Sequence, residues 1–559
     1  MAPLLATLAC FGLYLLGYHV YAKYLGSKVF KLDPNAITPA HELNDGVDYV
    51  PSNRYVLFGH HYASIAGLSP MLGPAIAVIW GWVPAMLWVV LGTLFIGAVH
   101  DFGALVISMR ARGVSVGKVA EDIVGPRAKS LFHIIIFFLI ALAMGVFVTV
   151  CATLLTADHS PEAVYPSATI MIVALVVGWS VYKRGASIGK STLIAFILTL
   201  LSVWAGLKLP ALSLSLGEWS GILLIYAFTA SVLPVWILLQ PRDYVNSLLL
   251  YLGLALIYCG FFYLGPDFAA PAIQANPPGA PPLFPFVFIV IACGAVSGFH
   301  GLVSSGTTAK QISSETDAPF IGYGGMIGES LLGLVSVLAC TAGFATRDLW
   351  LQHYQSWDLA QGLGLKMKAF IDGSALFMSQ LGIPLDLSKA FVALVAISFG
   401  LTTLDSGTRL LRFNISEISE TLRIRSLSNR YIASLLAVIT IGFFAFYKVG
   451  GTAAGLALWQ LFGTTNQVLG GLTLLTITLY LIHQKRPFWY TAIPMVFMLA
   501  TTLVAMFLKI RDFWNSEAYL LLAIGINILG LAIWLAIEAA IKLTTSRNTS
   551  NRAANDLRG

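Results

Sequence analysis

Charge is what this sequence is most short of. Asp, Glu, Lys and Arg make up 11% of its 559 residues, where a soluble globular protein carries roughly 25%. That deficit excludes a disordered chain, a nucleic-acid binder and an ordinary soluble enzyme. Cysteine is scarce too. The five, at positions 10, 151, 259, 293 and 340, all lie in apolar runs and none forms a CxxC pair, so neither a disulfide framework nor a zinc knuckle is expected. No GxxxxGK[ST] stretch occurs, which argues against ATP-driven transport by this chain alone, and no HExxH occurs. The first apolar run is too long for a cleavable signal and lacks a basic leader, so it reads as a span itself.

Apolar residues are plentiful instead. They make up 57% of the chain, and mean hydropathy is +0.81. Runs of about 20 apolar residues recur from end to end, each long enough to cross a hydrocarbon core of roughly 30 Å. The expected fold is all-α: a polytopic membrane helix bundle. Fifteen spans are expected, near 3–25, 60–80, 83–109, 130–156, 166–182, 188–209, 219–239 and 244–265 in the first half. The second half supplies 283–308, 321–346, 389–408, 430–448, 455–482, 489–508 and 518–541. Residues 1–543 then form one transmembrane domain, and the polar stretch 544–559 is expected to be a disordered cytoplasmic tail. Of the long connections, 266–282 is Pro-rich and external, and 347–388 is expected to carry an external surface helix.

The formal charge of +7 is an orientation signal. With the N-terminus outside, the cytoplasmic segments hold 25 of the 33 Lys and Arg, Arg242 and Lys310 among them. The external side keeps Lys208, Arg347, Lys366, Lys368, Lys389, Lys448, Lys509 and Arg511. A three-to-one bias supports an external N-terminus and a cytoplasmic C-terminus, and no nucleic-acid partner is needed.

Ionisable groups at membrane depth are expensive, so each is a functional candidate. The second span, FGHHYASIAGLSPMLGP, holds His60, His61 and Ser64, then Gly67, Pro70, Gly73 and Pro74, which predict a helix break between 67 and 74. The ninth span, ACGAVSGFHGLVSSGTTAKQ, sets Ser297, His300, Ser304 and Thr307 on one helical face, with Ser305 beside them, interrupted by Gly298, Gly301 and Gly306. Interrupted spans in corresponding positions of two halves point to a transporter's binding site, and these two run in opposite directions. His100 and Asp101 lie about nine residues, roughly 13 Å, from the cytoplasmic end of the third span, where a His beside a carboxylate suits proton exchange. Glu329 in the tenth span is a second proton candidate. In the eleventh, Ser398, Thr402, Asp405 and Arg409 share a face, and Asp405 with Arg409 can instead make an intrahelical pair. Asn466 and Gln467 of the thirteenth span offer amides to a pocket or hold helices together.

HHYASIAGLSPMLGPAIA, GAVHDFGALVISMR, GFHGLVSSGTTAKQ with IGYGGMIGESLL, LTTLDSGTRLLRF and LWQLFGTTNQ resemble, in order, the signature blocks of the carbon starvation A family. The similarity covers about residues 50–480. It implies a bacterial inner-membrane carrier of pyruvate or short peptides, similar to the amino-acid/polyamine/organocation superfamily of secondary transporters. That superfamily implies a five-plus-five inverted repeat, spans 2–6 against 9–13; a seven-plus-seven pairing, 2–8 against 9–15, satisfies the same parity. It also implies that a cation site would use carbonyls near Ala66–Ser69 with Thr402, Thr403 or Ser406.

The expected activity is therefore secondary active import of a small carboxylate or peptide, without enzymatic chemistry or a cofactor beyond a coupling H+ or Na+. Expected substrate-binding residues are His61, Ser64, His300, Ser304, Ser305, Asn466 and Gln467. Expected coupling residues are His100, Asp101, Glu329, Thr402, Thr403, Asp405 and Ser406. Partners are the substrate and the lipid bilayer. Two other readings are an intramembrane metal site with an enzymatic role, built from His60, His61, His100, Asp101 and His300, and a nutrient sensor without transport. The spacing of the histidines does not force convergence, and the chain has no long soluble segment for signalling.

Overall fold

The computed structural model describes residues 2–357, 363–449, 452–453 and 455–556. Among these the fold is helical throughout, apart from a two-residue β-ladder pairing Lys448–Val449 with Thr452–Ala453. The helices in chain order begin with α1 (Ala2–Val29), α2 (Arg54–Ile65), α3 (Ser69–Trp80), α4 (Trp82–Arg110) and α5 (Val116–Ile123). Then come α6 (Pro126–Leu155), α7 (Pro161–Arg184), α8 (Ile188–Gly206), α9 (Leu216–Val232) and α10 (Leu239–Leu264). The second half holds α11 (Leu283–Val290), α12 (Gly298–Gly306), α13 (Glu315–Ala342), α14 (Leu363–Ser379) and α15 (Leu385–Leu422). It closes with α16 (Arg430–Phe446), α17 (Gly455–His483), α18 (Trp489–Asn515) and α19 (Tyr519–Asp556). Residues 557–559 of the expected tail lie outside the described residues.

Among the described residues eleven helices are long and apolar enough to cross a membrane, or twelve with α2 and α3 counted as one bent span. The shorter apolar helices α9 and α16 and the interrupted segment α11–α12 coincide with the seventh, twelfth and ninth expected spans. Outward-facing Leu, Ile and Phe on the peripheral helices present an apolar surface to lipid, as on α8, where Leu193, Ile194, Leu201 and Trp204 are exposed.

Both expected breaks exist, each displaced from its expected place. In the second span the helix stops at Ile65 and resumes at Ser69, so only Ala66–Leu68 is unwound, with a bend of 46°. Of the residues expected to break it, only Gly67 lies in the gap. Pro70 sits in the first turn of α3, where a missing N–H costs nothing, and Gly73 and Pro74 lie inside the helix. In the ninth span the unwound stretch is Ile291–Ser297, upstream of the expected glycines, and Gly294 turns it with φ +91°. Gly298 and Gly306 are the ends of α12 and Gly301 lies inside it. They serve close packing: a Cβ on Gly298 would lie 2.3 Å from the Asn466 carbonyl oxygen, and one on Gly301 2.9 Å from the His100 ring.

The second half of each broken span rests on the helix that follows the other: α3 packs on α13, and α12 on α4. This exchange relates spans 2–3 to spans 9–10, as both repeat pairings require. The segment 347–388 carries a short, largely exposed helix at Arg347–His353, but its longer helix is built into the bundle. Helix α14 packs against α10, α13 and α15 and buries Phe370, Ala375 and Phe377. Asp372 on its outer side pairs with Lys368 one turn back and with Lys389 of α15.

Candidate functional site

Three helices bring four ionisable side chains together with no exposed surface. Asp101 of α4 lies between two imidazoles: His100 Nδ1 is 2.7 Å from Oδ1, and His300 Nδ1, from α12, is 3.0 Å from Oδ2. An ionised carboxylate only accepts, so each Nδ1 carries a hydrogen and donates. That fixes what the far side of His300 can do. Its Nε2 lies 3.4 Å from Glu329 Oε1 on α13 without an aligned hydrogen bond, and both Glu329 oxygens are buried without a hydrogen-bond partner among the described residues. One proton belongs between Nε2 and Glu329, on either atom. With that one proton the cluster is singly negative; with a second, on the other atom, it is neutral. The sequence placed His100, Asp101 and Glu329 together as proton candidates, and the fold adds His300, expected at the substrate.

Cys293 of the unwound stretch completes a second geometry. Its Sγ, a His300 nitrogen and a Glu329 oxygen lie within 4.8 Å of one another, a set of donors that could hold a metal ion. The four histidines considered for such a site do not converge. His60 goes to Asp243, His61 Nδ1 is 2.8 Å from Thr308 Oγ1, and His100 and His300 share Asp101.

A second buried charged cluster lies behind α2. Arg242, expected in a cytoplasmic connection, sits with Asp243 inside α10, and neither has exposed surface. Arg242 pairs with its neighbour Asp243 and with Asp405 of α15, and Tyr226 of α9 donates to Asp405. Asp243 also accepts from His60 Nδ1 at 2.7 Å. Asp405 therefore pairs with an arginine from another helix, and the intrahelical pair with Arg409 does not form. Arg409 instead reaches Asp48 at 3.0 Å and the carbonyls of Ala230 and Leu233. Burial raises the proton affinity of Asp48, but Arg409, Arg412 and Lys310 outweigh it and hold this loop carboxyl below its usual range. The sequence does carry a signal for the missed cluster: in LLQPRDYVNS two adjacent charges of opposite sign stand between apolar runs, with Asn246 one turn on.

The hydroxyls of α15 meet the first break. Thr403 Oγ1 donates to the Ser64 carbonyl at 3.2 Å, the Ser64 and Ser406 hydroxyls are 2.9 Å apart, and Thr402 Oγ1 accepts from Asn246 at 3.1 Å. The amides of α17 hold the second break. Asn466 Oδ1 accepts the Phe299 N–H at 2.8 Å, capping α12, and Gln467 Nε2 donates to the carbonyls of Phe288, Ala292 and Val296. Gln467 is thus engaged with the unwound backbone, and Asn466 with the first turn of the helix that follows it. Ser304 Oγ is buried without a partner, and Ser305 Oγ donates to the Gly301 carbonyl.

The chain matches the family described as Carbon starvation protein CstA over residues 2–348 and 359–505. It is 32% identical to the peptide transporter CstA of Campylobacter jejuni, with 90% of this chain and 79% of that one covered. It is 33% identical to the pyruvate/proton symporter BtsT of Escherichia coli, covering 91% and 82%. The peptide transporter CstA of Bacillus subtilis is 31% identical, with 94% of each chain covered. Among solved structures, a manganese transporter of Eremococcus coleocola aligns at 13% identity with a TM-score of 0.48, covering 89% of this chain and 99% of that one. Most of the membrane region is therefore accounted for by one family, and the chain belongs to the carbon starvation protein CstA family.

Proposed function

We propose that this protein is a secondary active importer of small carboxylates such as pyruvate, or of short peptides, driven by the proton gradient across a bacterial inner membrane. Its relatives are named as peptide transporters and as a pyruvate/proton symporter. The observation that carries the proton reading is the Glu329–His300–Asp101–His100 cluster. It holds one proton in a position that either Glu329 or His300 can occupy, and a second proton neutralises it. His300 rides on α12, the half-helix hinged at the unwound Ile291–Ser297, so its protonation and the tilt of that helix are mechanically linked. A neutral cluster crosses between the two access states at far lower electrostatic cost than a charged one. The carboxylate of the substrate is met at the two breaks, where the dipoles of the resuming half-helices favour an anion, with Ser64 beside the first break and Ser304 further along α12 as polar contacts. The positive-inside count puts the N-terminus outside and the C-terminus in the cytoplasm.

A sodium-driven variant of the same reading is favoured by one observation, the convergence of Thr403 and Ser406 on Ser64 at the first break. Uptake of labelled pyruvate and dialanine into proteoliposomes, with proton and sodium gradients imposed separately, tests both. Glu329→Gln and Asp101→Asn should abolish proton-driven accumulation, with substrate exchange at equal pH retained. Accumulation that persists in both variants, or follows sodium alone, would overturn the proton route.

A further inference from the structure

Below the candidate site, towards the face that carries the basic connections, lies a cavity of about 190 Å³. Its polar walls include Ser115 and Lys118 at α5, Ser305 at the end of α12, Lys310 just beyond, and Asn414 and Glu417 on α15, with Ile136 and Ile140 of α6 on an apolar side. Its inner end is therefore formed by the last turn of the half-helix that carries His300. Two hydrogen bonds tie the α5 side of the cavity to α15 and α12. Ser115 Oγ donates to Glu417 Oε2 at 2.8 Å, and the Val116 N–H donates to Ser305 Oγ at 3.3 Å.

The charges in this wall are not equally engaged. Lys118 lies 3.9 Å from Glu420, and Glu417, besides accepting from Ser115, lies 3.5 Å from His133 Nδ1. Lys310 has no carboxylate within ion-pair distance and no hydrogen-bond acceptor for its Nζ among the described residues. It is held by rings instead, with Nζ 4.0 Å from the centroid of Phe413 and 5.3 Å from that of Tyr49. Aromatic faces position an ammonium while leaving its three N–H donors free. A lysine kept as a strut would be paired; this one is aimed, unpaired, at a space the size of a small organic anion.

We propose that this vestibule is a second, transient binding site for the substrate's carboxylate, with Lys310 as its cationic ligand. An anion leaving the α12 break enters it before release to the cytoplasm. The proposal rests on the transport reading above and extends it to the face on which substrate is discharged. Release then requires the Ser115–Glu417 and Val116–Ser305 bonds to open, which couples departure of the anion to movement of α5 away from α12.

The test uses the full chain in proteoliposomes selected for a single insertion direction, with labelled pyruvate and labelled dialanine as separate probes. Half-saturation is measured from each face for the wild type, Lys310→Gln and Lys310→Arg. Lys310→Gln should raise the half-saturating concentration at the vestibule face roughly tenfold, the scale of one hydrogen bond to a charged group, and leave the other face unchanged. Lys310→Arg, which keeps the charge, should stay close to wild type and shows that the site tolerates substitution. A rise on neither face, an equal rise on both, or an arginine variant as impaired as the glutamine one would overturn the vestibule site. A wild type that carries neither probe would instead overturn the transport reading, and the vestibule proposal with it.

Discussion

Removing Arg242 should damage this protein far more than removing either of its partners. Arg242, Asp243 and Asp405 all have fully buried side chains, and the arginine is the one permanent cation among them. Arg242→Met leaves two carboxylates at membrane depth with only His60 and Tyr226 to satisfy them. Breaking a buried pair so that a charge is stranded costs about 3–5 kcal/mol, a large part of the ~5–15 kcal/mol that stabilises a typical domain. Asp405→Asn behaves differently. It leaves Arg242 matched by Asp243, and the new amide oxygen still accepts from Tyr226, so the loss should be nearer ~1 kcal/mol, the net value of a hydrogen bond. Arg242→Met/Asp405→Asn should recover part of the single arginine variant's loss, because one of the two stranded charges is gone. Thermal unfolding in detergent, followed through the fluorescence of the 13 tryptophans, gives the three shifts. If Asp405→Asn lowers the midpoint as much as Arg242→Met, or if the double variant is no better than the arginine variant, the charge accounting of this cluster is wrong.

Gly301→Ala should cost about 1–3 kcal/mol as an overpacked contact, because its Cβ would stand 2.9 Å from His100 Cε1 and 3.1 Å from Nε2. It should impair proton-driven uptake by pushing His100 off Asp101; a variant with normal uptake and normal melting would show that the approach is not tight. Asp48, whose carboxyl is held below its usual range, contributes stability that is present above the unfolded value of about 3.9 and lost as pH falls through its lower folded value. The difference in melting temperature between wild type and Asp48→Asn should therefore be constant from neutral pH down to about pH 4 and shrink below it; a difference that does not change with pH would contradict the Arg409–Asp48–Arg412 assignment.

Much of the architecture was legible because the membrane allows so few solutions. Backbone polar groups in lipid must be satisfied within the segment, so a run of about 20 apolar residues is a helix wherever it appears. The same economy exposed the two broken spans, since Gly, Pro and His collected in α2–α3 and α11–α12 have no reason to be there otherwise. The exact break was harder to read. A glycine that unwinds a helix and one that lets helices touch look alike in sequence, and Gly294 is the first kind while Gly298 and Gly301 are the second. The amphipathic helix α14 was misplaced for a related reason, because its lysines spoke for solvent while Phe370 and Phe377 were already pointing into the bundle.

Composition and apolar length, then, determined the solvent of this protein, its helical class and the depth of His100, Asp101, His300 and Glu329. Which of these groups share a proton is a matter of which helices meet: α12 packs on α4, and Glu329 of α13 comes within 3.4 Å of His300, joining groups 199 and 29 residues apart along the chain. The pairing of Arg242 with Asp405 across 163 residues is of the same kind. A lone charge in an apolar run reads as a loop end until another helix supplies its counter-ion, and only the tertiary structure decides which helix that is.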